Sequence, residues 1–151
     1  MNTAAQDFMG RALELAAEAG KTGEVPVGAV VVMDDRIIGE GRNAQIASLD
    51  PTAHAEINAL RSAALAMNNY RLPGARLYVT LEPCSMCCGA LVHARISELL
   101  FAAREPRAGA VVSARQLLDE GAFNHRVAWS EDSEHRDASA TLLRDFFRSR
   151  R

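Results

Sequence analysis

This 151-residue chain predicts an α/β fold: a three-layer α/β/α sandwich around a mixed central sheet of five strands. Three observations carry that expectation. Helical and strand-like apolar patterns alternate along the chain in the order α-β-β-α-β-α-β-α-β-α. The first two strands are joined by the turn Asp34-Asp35, which makes that pair antiparallel and the sheet mixed. No repeat, low-complexity stretch or linker interrupts the pattern, so residues 1–151 form one domain.

The elements follow in order. Residues 4–19 carry Phe8, Ala12, Leu15, Ala16 and Ala19 at helical spacing, with Gly20 and Gly23 as the stop. Val27 to Met33 is a short apolar run, read as a buried strand, and Arg36 to Glu40 returns as its hairpin partner. Residues 43–52 read as loop, closed by Asp50-Pro51-Thr52. An alanine- and leucine-rich helix spans 53–68. Pro73-Gly74 breaks the chain before a strand at 76–81, and Pro83 precedes a helix at 84–94. A strand at 97–102, a short helix with Leu117 and Leu118, a strand at 127–130 and a helix at 134–149 complete the order. One of the two phenylalanines in that last helix, Phe146 or Phe147, is expected in the core.

Hydrophobic residues make up 48% of the chain, enough to build a core, and the formal charge of −2 excludes a uniformly basic nucleic-acid coat. The three cysteines all fall between positions 84 and 88. That clustering cannot form a disulfide framework and fits a metal in a reducing compartment. The first apolar stretch is interrupted by Asp7, Arg11, Glu14 and Glu18, so no signal peptide is expected. Nothing approaches the roughly 20 apolar residues that span a bilayer. A cytoplasmic protein without membrane contact is expected.

The chemistry concentrates in His54-Ala55-Glu56 and Pro83-Cys84-Ser85-Met86-Cys87. Cys84 and Cys87, at i and i+3 on a helix start, have Cβ atoms ~5–6 Å apart and can share one zinc. The helix N-terminus favours their thiolates. His54 begins another helix and supplies a third ligand. Glu56 points about 200° away from His54 on a regular helix, so it is left free to move protons. Three protein ligands leave the fourth position for water, as in catalytic zinc sites. A structural zinc would need a fourth ligand. Cys88, at i+4 from Cys84, could replace Cys87 but not join both on one tetrahedron, and otherwise packs as a small apolar group. His93, His125 and His135 read as packing or solvent groups.

The HxE…PCxxC pattern is that of the zinc nucleobase deaminases. Residues 24–30 (Glu-Val-Pro-Val-Gly-Ala-Val), 50–56, 70–72, 77–84 and Phe146-Phe147-Arg148 make the chain resemble the bacterial tRNA-specific adenosine deaminases over about residues 5–151. The resemblance implies a cytidine deaminase-like fold, one zinc per subunit, a homodimer with active sites near the interface, and a tRNA anticodon loop as substrate. Zinc-activated water would attack C6 of the wobble adenine, Glu56 would shuttle protons, and inosine and ammonia would result. Asn43 would bind the base, Val27, Gly28 and Ala29 would wall the pocket, and Ala55 and Pro83 would offer backbone groups. Phe147 and Arg148, with Arg144, Arg150 and Arg151 nearby, would meet RNA by stacking and phosphate contact.

Some positions depart from the family pattern. Glu105 lies in the loop that would hold the neighbouring ribose and is longer than the usual aspartate. Cys88 replaces a small residue, and 131–138 is unusually charged. Two other readings fit the same motifs: a deaminase of free guanine or cytosine bases or nucleotides, and a non-catalytic zinc-stabilised RNA-binding module.

Overall fold

The computed structural model describes residues 6–121 and 123–150. Its elements are α1 (Phe8–Lys21), β1 (Gly28–Met33), β2 (Arg36–Arg42), α2 (Gln45–Ser48), α3 (Ala55–Met67), β3 (Arg76–Leu81), α4 (Ser85–His93), β4 (Glu98–Ala103), a 3₁₀ turn at Leu117–Asp119, β5 (Ala128–Glu131) and α5 (Arg136–Arg148). The strands form one sheet in the order β2-β1-β3-β4-β5. β1 runs antiparallel to β2 and β3, while β3, β4 and β5 are parallel, so the sheet is mixed as expected.

The hairpin closes through Asp34 (φ 52°) and Asp35 (φ 60°). Two successive left-handed residues make the tight turn whose twist matches paired strands. The side chains of β1 alternate between the two faces of the sheet. Val31, with Ala29 and Val27, packs with Ala55, Ala59 and Leu91 on the side of α3 and α4. Val30 and Val32 pack with Phe8 and Leu15 of α1 on the other side. Fully buried Phe101, Leu77 and Leu99 fill the first layer, each worth about 1.5–3 kcal/mol relative to exposure.

Small residues set the spacing of the layers. A Cβ at Gly41 would lie 2.3 Å from the Ala55 carbonyl oxygen, and one at Gly39 would lie 2.6 Å from that of Ala59. α3 therefore rests on the β2 backbone through Ala55, Ala59 and Ala63, one turn apart, and its start is fixed relative to the sheet.

Four expectations are refined. Helix α1 begins at Phe8, with the Asp7 carboxylate accepting from the Gly10 N–H at 2.8 Å; residues 4 and 5 of the expected helix lie outside the described residues. Gly20 lies inside α1 rather than ending it, and Thr22 closes the helix with its backbone N–H and hydroxyl on the last carbonyls. The expected loop 43–52 contains the one-turn helix α2. Phe146 is only half-buried and Phe147 is 51% exposed, so neither joins the core, and Ser139 and Leu143 help dock α5 instead. The physical reason is that α5 docks by its first half. The Ser139 hydroxyl donates to the Thr80 carbonyl at 2.6 Å.

Candidate metal centre and its surroundings

His54 and Cys84 occupy equivalent places in the fold. Each is the extended residue immediately before a helix, His54 at φ −72°, ψ 156° and Cys84 at φ −80°, ψ 179°. Both helices start on the same side of the sheet, so their first turns meet. The His54 Nδ1 atom lies 3.7 Å from Cys84 Sγ and 3.6 Å from Cys87 Sγ. Tetrahedral zinc with bonds of about 2.0 Å to nitrogen and 2.3 Å to sulfur requires an N···S separation of about 3.5 Å. The donor set and its spacing therefore fit zinc. Among the described residues no further histidine, cysteine or carboxylate joins this group.

Donation from Cys87 holds Cys84 down to about 4. The same bond, with burial, drives the Cys87 thiol strongly upward. Both thiols would bind zinc as thiolates, so metal binding would release their protons. Cys88 is fully buried and pushed up to about 12, chiefly by burial and then by Cys84 and Glu56. It sits behind the site as an inert apolar filler.

Glu56 lies in the first turn of α3 and is 4% exposed. Burial pushes its carboxyl up to about 7, and it sits close enough to Cys87 for a side-chain hydrogen bond. Burial outweighs the help that the neighbouring His54 gives the charged form, and a carboxyl raised in this way beside a set of metal-ligating side chains is a candidate proton carrier.

Asn43 ties the site together. Its Nδ2 donates to the Val25 carbonyl at 3.0 Å, and its Oδ1 accepts from the Ala55 N–H at 2.8 Å. His54 stands at the N-cap of α3 but makes no side-chain cap bond. Asn43 supplies from 12 residues upstream the acceptor that an ordinary N-cap residue would provide locally.

The other residues named from the sequence are distributed as follows. Val27 and Ala29 face the layer that carries the metal-binding residues. Gly28 turns toward α1, where a Cβ would lie 2.1 Å from the Ala12 carbonyl oxygen, so its side-chain position is separated from the site by the sheet. The Ala55 N–H is occupied by Asn43, and the Pro83 carbonyl accepts from the Ala110 N–H at 2.8 Å. Glu105 folds back on its own loop, its carboxylate accepting from the Arg107 N–H at 2.9 Å. Phe147 and Arg148 lie at the exposed end of α5, where Phe147 meets Phe146 edge-on and Arg150 stacks 3.9 Å from the Phe146 ring centroid. Arg150 also lies against Gly23, which brings this end toward the Glu24-Val25 segment beside Asn43. Arg151 lies outside the described residues.

Two buried carboxylates escaped the sequence reading. Glu24, 3% exposed, accepts from the Ile46 and Ala47 N–H groups of α2 at 3.2 and 2.9 Å. Glu82, also 3% exposed, accepts from the backbone of 105–113. The available signal was an acidic residue set among apolar or proline neighbours, as in Leu81-Glu82-Pro83 and Glu24-Val25-Pro26.

Comparison with known proteins agrees with this geometry. The family model for the cytidine and deoxycytidylate deaminase zinc-binding region matches residues 2–103. The tRNA-specific adenosine deaminase of Haemophilus influenzae is 48% identical over 147 residues, covering 97% of this chain and 84% of the relative. A structure solved in studies of A-to-I editing by tRNA:A34 deaminases superposes with a TM-score of 0.87 at 43% identity, over 90% of this chain and 98% of that one. The guanine deaminase of Nitrosomonas europaea is more distant, with a TM-score of 0.77 and 25% identity over 96% of this chain and 86% of its own. The chain belongs to the cytidine and deoxycytidylate deaminase zinc-binding family, on the branch of its tRNA-specific adenosine deaminases.

Proposed function

We propose that this protein hydrolyses the wobble adenosine of a tRNA anticodon to inosine, releasing ammonia. One observation carries the proposal: an imidazole and two thiols converge at zinc-ligand spacing, with a buried free carboxyl beside them, in a chain 48% identical to a tRNA-specific adenosine deaminase. His54, Cys84 and Cys87 hold the zinc. Zinc, when bound, supplies an electrophile that acidifies water and polarises the reacting group.

The remaining chemistry belongs to the chain. Glu56 takes a proton from the attacking water and delivers it to the ring nitrogen adjacent to C6, then takes the second proton from the new C6 hydroxyl and passes it to the departing amine, leaving a C6 carbonyl. The C6–N bond breaks, a C6–O bond forms, and one water is consumed per ammonia released. Val27 and Ala29 wall the base, Asn43 lies at its edge, and Ala55 and Pro83 line the floor through backbone atoms. Gly28 would contribute only backbone. An anticodon loop presents an unpaired base at low cost, which suits a target atom that must enter a closed site. Phe147 and Arg148 at the end of α5 supply stacking and phosphate contacts, and Glu105 sets the loop beside the neighbouring ribose.

The working unit in this reading is a homodimer. Leu65 is 84% exposed and Tyr70 72% exposed, and Tyr70 borders an apolar groove lined by Ile57, Leu60, Ala90 and Ala94. Exposed apolar surface of this kind marks a protein interface. Met86 lies one turn before Ala90 and between the two metal-binding cysteines, so pairing there would bring the partner close to the site. No described helix is long and apolar enough to cross a membrane.

A free-base deaminase is the second reading, favoured by the fold shared with the Nitrosomonas guanine deaminase. Incubation with transcribed tRNAs carrying a wobble adenosine, and separately with free guanine, cytosine and adenine, decides between them. Inosine in the tRNA is the expected product. Turnover of free bases alone would reject the proposal.

A further inference from the structure

Glu82 follows the end of β3, two residues before the metal-binding Cys84, and it is buried with no arginine or lysine in salt-bridge contact among the described residues. Its charge is met by a ring of donors from one loop. Oε2 accepts from three successive backbone N–H groups, Val111 at 3.0 Å, Val112 at 2.8 Å and Ser113 at 2.9 Å. Oε1 accepts from the Glu105 N–H at 3.0 Å and from the Ser113 hydroxyl. Consecutive N–H groups converging on an anion form a nest, here built around a side chain of the protein itself.

The loop cannot sit elsewhere while these bonds persist. Gly109 passes so close that a Cβ would lie 2.4 Å from the Glu82 carboxyl carbon. The Ala110 N–H donates to the Pro83 carbonyl at 2.8 Å, which adds a second tie to the metal-binding turn. The outer part of the loop, Pro106-Arg107-Ala108, is left exposed beside that turn. Glu105 stands at the hinge, its N–H on Glu82 and its carboxylate on Arg107.

We infer that Glu82 is a positioning residue: it clamps the 105–113 loop to the metal-binding turn, and so fixes where that loop meets the nucleic acid. The inference rests on the proposed tRNA deamination. Glu82 moves no proton in the reaction; it acts through the loop. Its loss therefore weakens substrate capture before it touches the chemical step.

Ser113→Ala removes one of the donors and leaves the carboxylate buried among the others, so the fold is kept. Glu82→Gln places an amide where two acceptors are needed and releases the loop more fully. Both variants and the wild type are compared for zinc content, amide hydrogen exchange, and kinetics on an anticodon stem-loop. Ser113→Ala is expected to raise KM about threefold to tenfold, with kcat within about twofold of wild type. Glu82→Gln raises it further. Amides 111–113 exchange faster in both, and zinc stays stoichiometric. A lowered kcat at unchanged KM, loss of zinc in Ser113→Ala, or unaltered exchange at 111–113 would each overturn the clamp. A wild-type protein that does not act on the stem-loop while the exchange pattern holds would instead reject the tRNA reading and leave Glu82 a structural staple only, which also ends its positioning role.

Discussion

Replacing Asn43 by alanine removes two bonds at once from the entrance of α3. The Ala55 N–H loses its acceptor at 2.8 Å and the Val25 carbonyl loses its donor at 3.0 Å. Asn43 is only 7% exposed, so water does not readily replace either partner. Leaving a buried backbone group unpaired costs about 1–3 kcal/mol. The Val25 carbonyl also accepts from the Val27 N–H at 2.9 Å, which softens its share. The expected destabilisation is about 2–4 kcal/mol, a large part of the ~5–15 kcal/mol available to a domain. Asn43→Asp provides the internal control. It keeps an acceptor for Ala55 and sets a second acceptor against the Val25 carbonyl, so it should fall between wild type and alanine at neutral pH. Urea unfolding of the zinc-loaded protein, with metal content measured alongside, reads both effects. Weaker zinc retention should accompany the alanine variant, because Ala55 directly follows the ligand His54. A change below about 0.5 kcal/mol with alanine would refute the capping role, since surface substitutions alone reach that size.

Three further outcomes follow from the geometry. Cys88→Ala should keep one zinc per chain and near-normal turnover, because its thiol is buried away from the ligand group; metal analysis showing zinc loss would mean that Cys88, not Cys87, is the second thiolate. Gly28→Ala should destabilise by about 1–3 kcal/mol or more through overpacking, because the new methyl would meet the Ala12 carbonyl oxygen and Ala16 nitrogen of α1; an unchanged urea midpoint would contradict that packing. His135 joins Asp132 through Nδ1 at 2.8 Å and Asp7 through Nε2 at 3.2 Å. Burial pulls its imidazole down, but Asp132 and Asp7 pull it up by more, and the net direction is upward. Its stabilising effect is therefore complete below the unfolded value of about 6.5 and fades as pH rises through the higher folded value. Unfolding midpoints should fall between about pH 6 and pH 8 in wild type and fall less in His135→Gln; equal pH slopes would remove His135 as the cause.

The sequence exposes the parts of this protein whose signals are local. Apolar periodicity and turn chemistry mark the strands and long helices, and Pro51-Thr52 and Pro83 mark the starts that bring His54 and Cys84 forward. Spacing pairs Cys84 with Cys87, the two helix starts and the combined HxE…PCxxC pattern add His54, and the distances between the three agree. What stays hidden depends on partners distant in the chain. Helix α2 has no buried apolar residue to announce it and is held by Glu24, more than 20 residues earlier. The clamp of Glu82 on 111–113 spans about 30 residues. Gly28, which the resemblance places at the pocket wall, turns to α1 because strand side chains alternate faces. Residues 131–138 look only highly charged in sequence; in three dimensions Glu131 pairs with Arg104 and Arg136, and Asp132 with His135.

The three metal ligands and Glu56 divide the labour of the reaction, His54, Cys84 and Cys87 holding the metal and Glu56 moving protons. Metal analysis and inosine formation on a wobble-adenosine tRNA, measured on the same preparation of Glu56→Ala and of wild type, test that division most directly. Wild type should hold one zinc per chain and make inosine. The variant should hold the same zinc, stay folded, and lose turnover by at least about 10²–10⁴-fold. Inosine formation surviving in Glu56→Ala at the wild-type rate would contradict the proton shuttle at the centre of the mechanism.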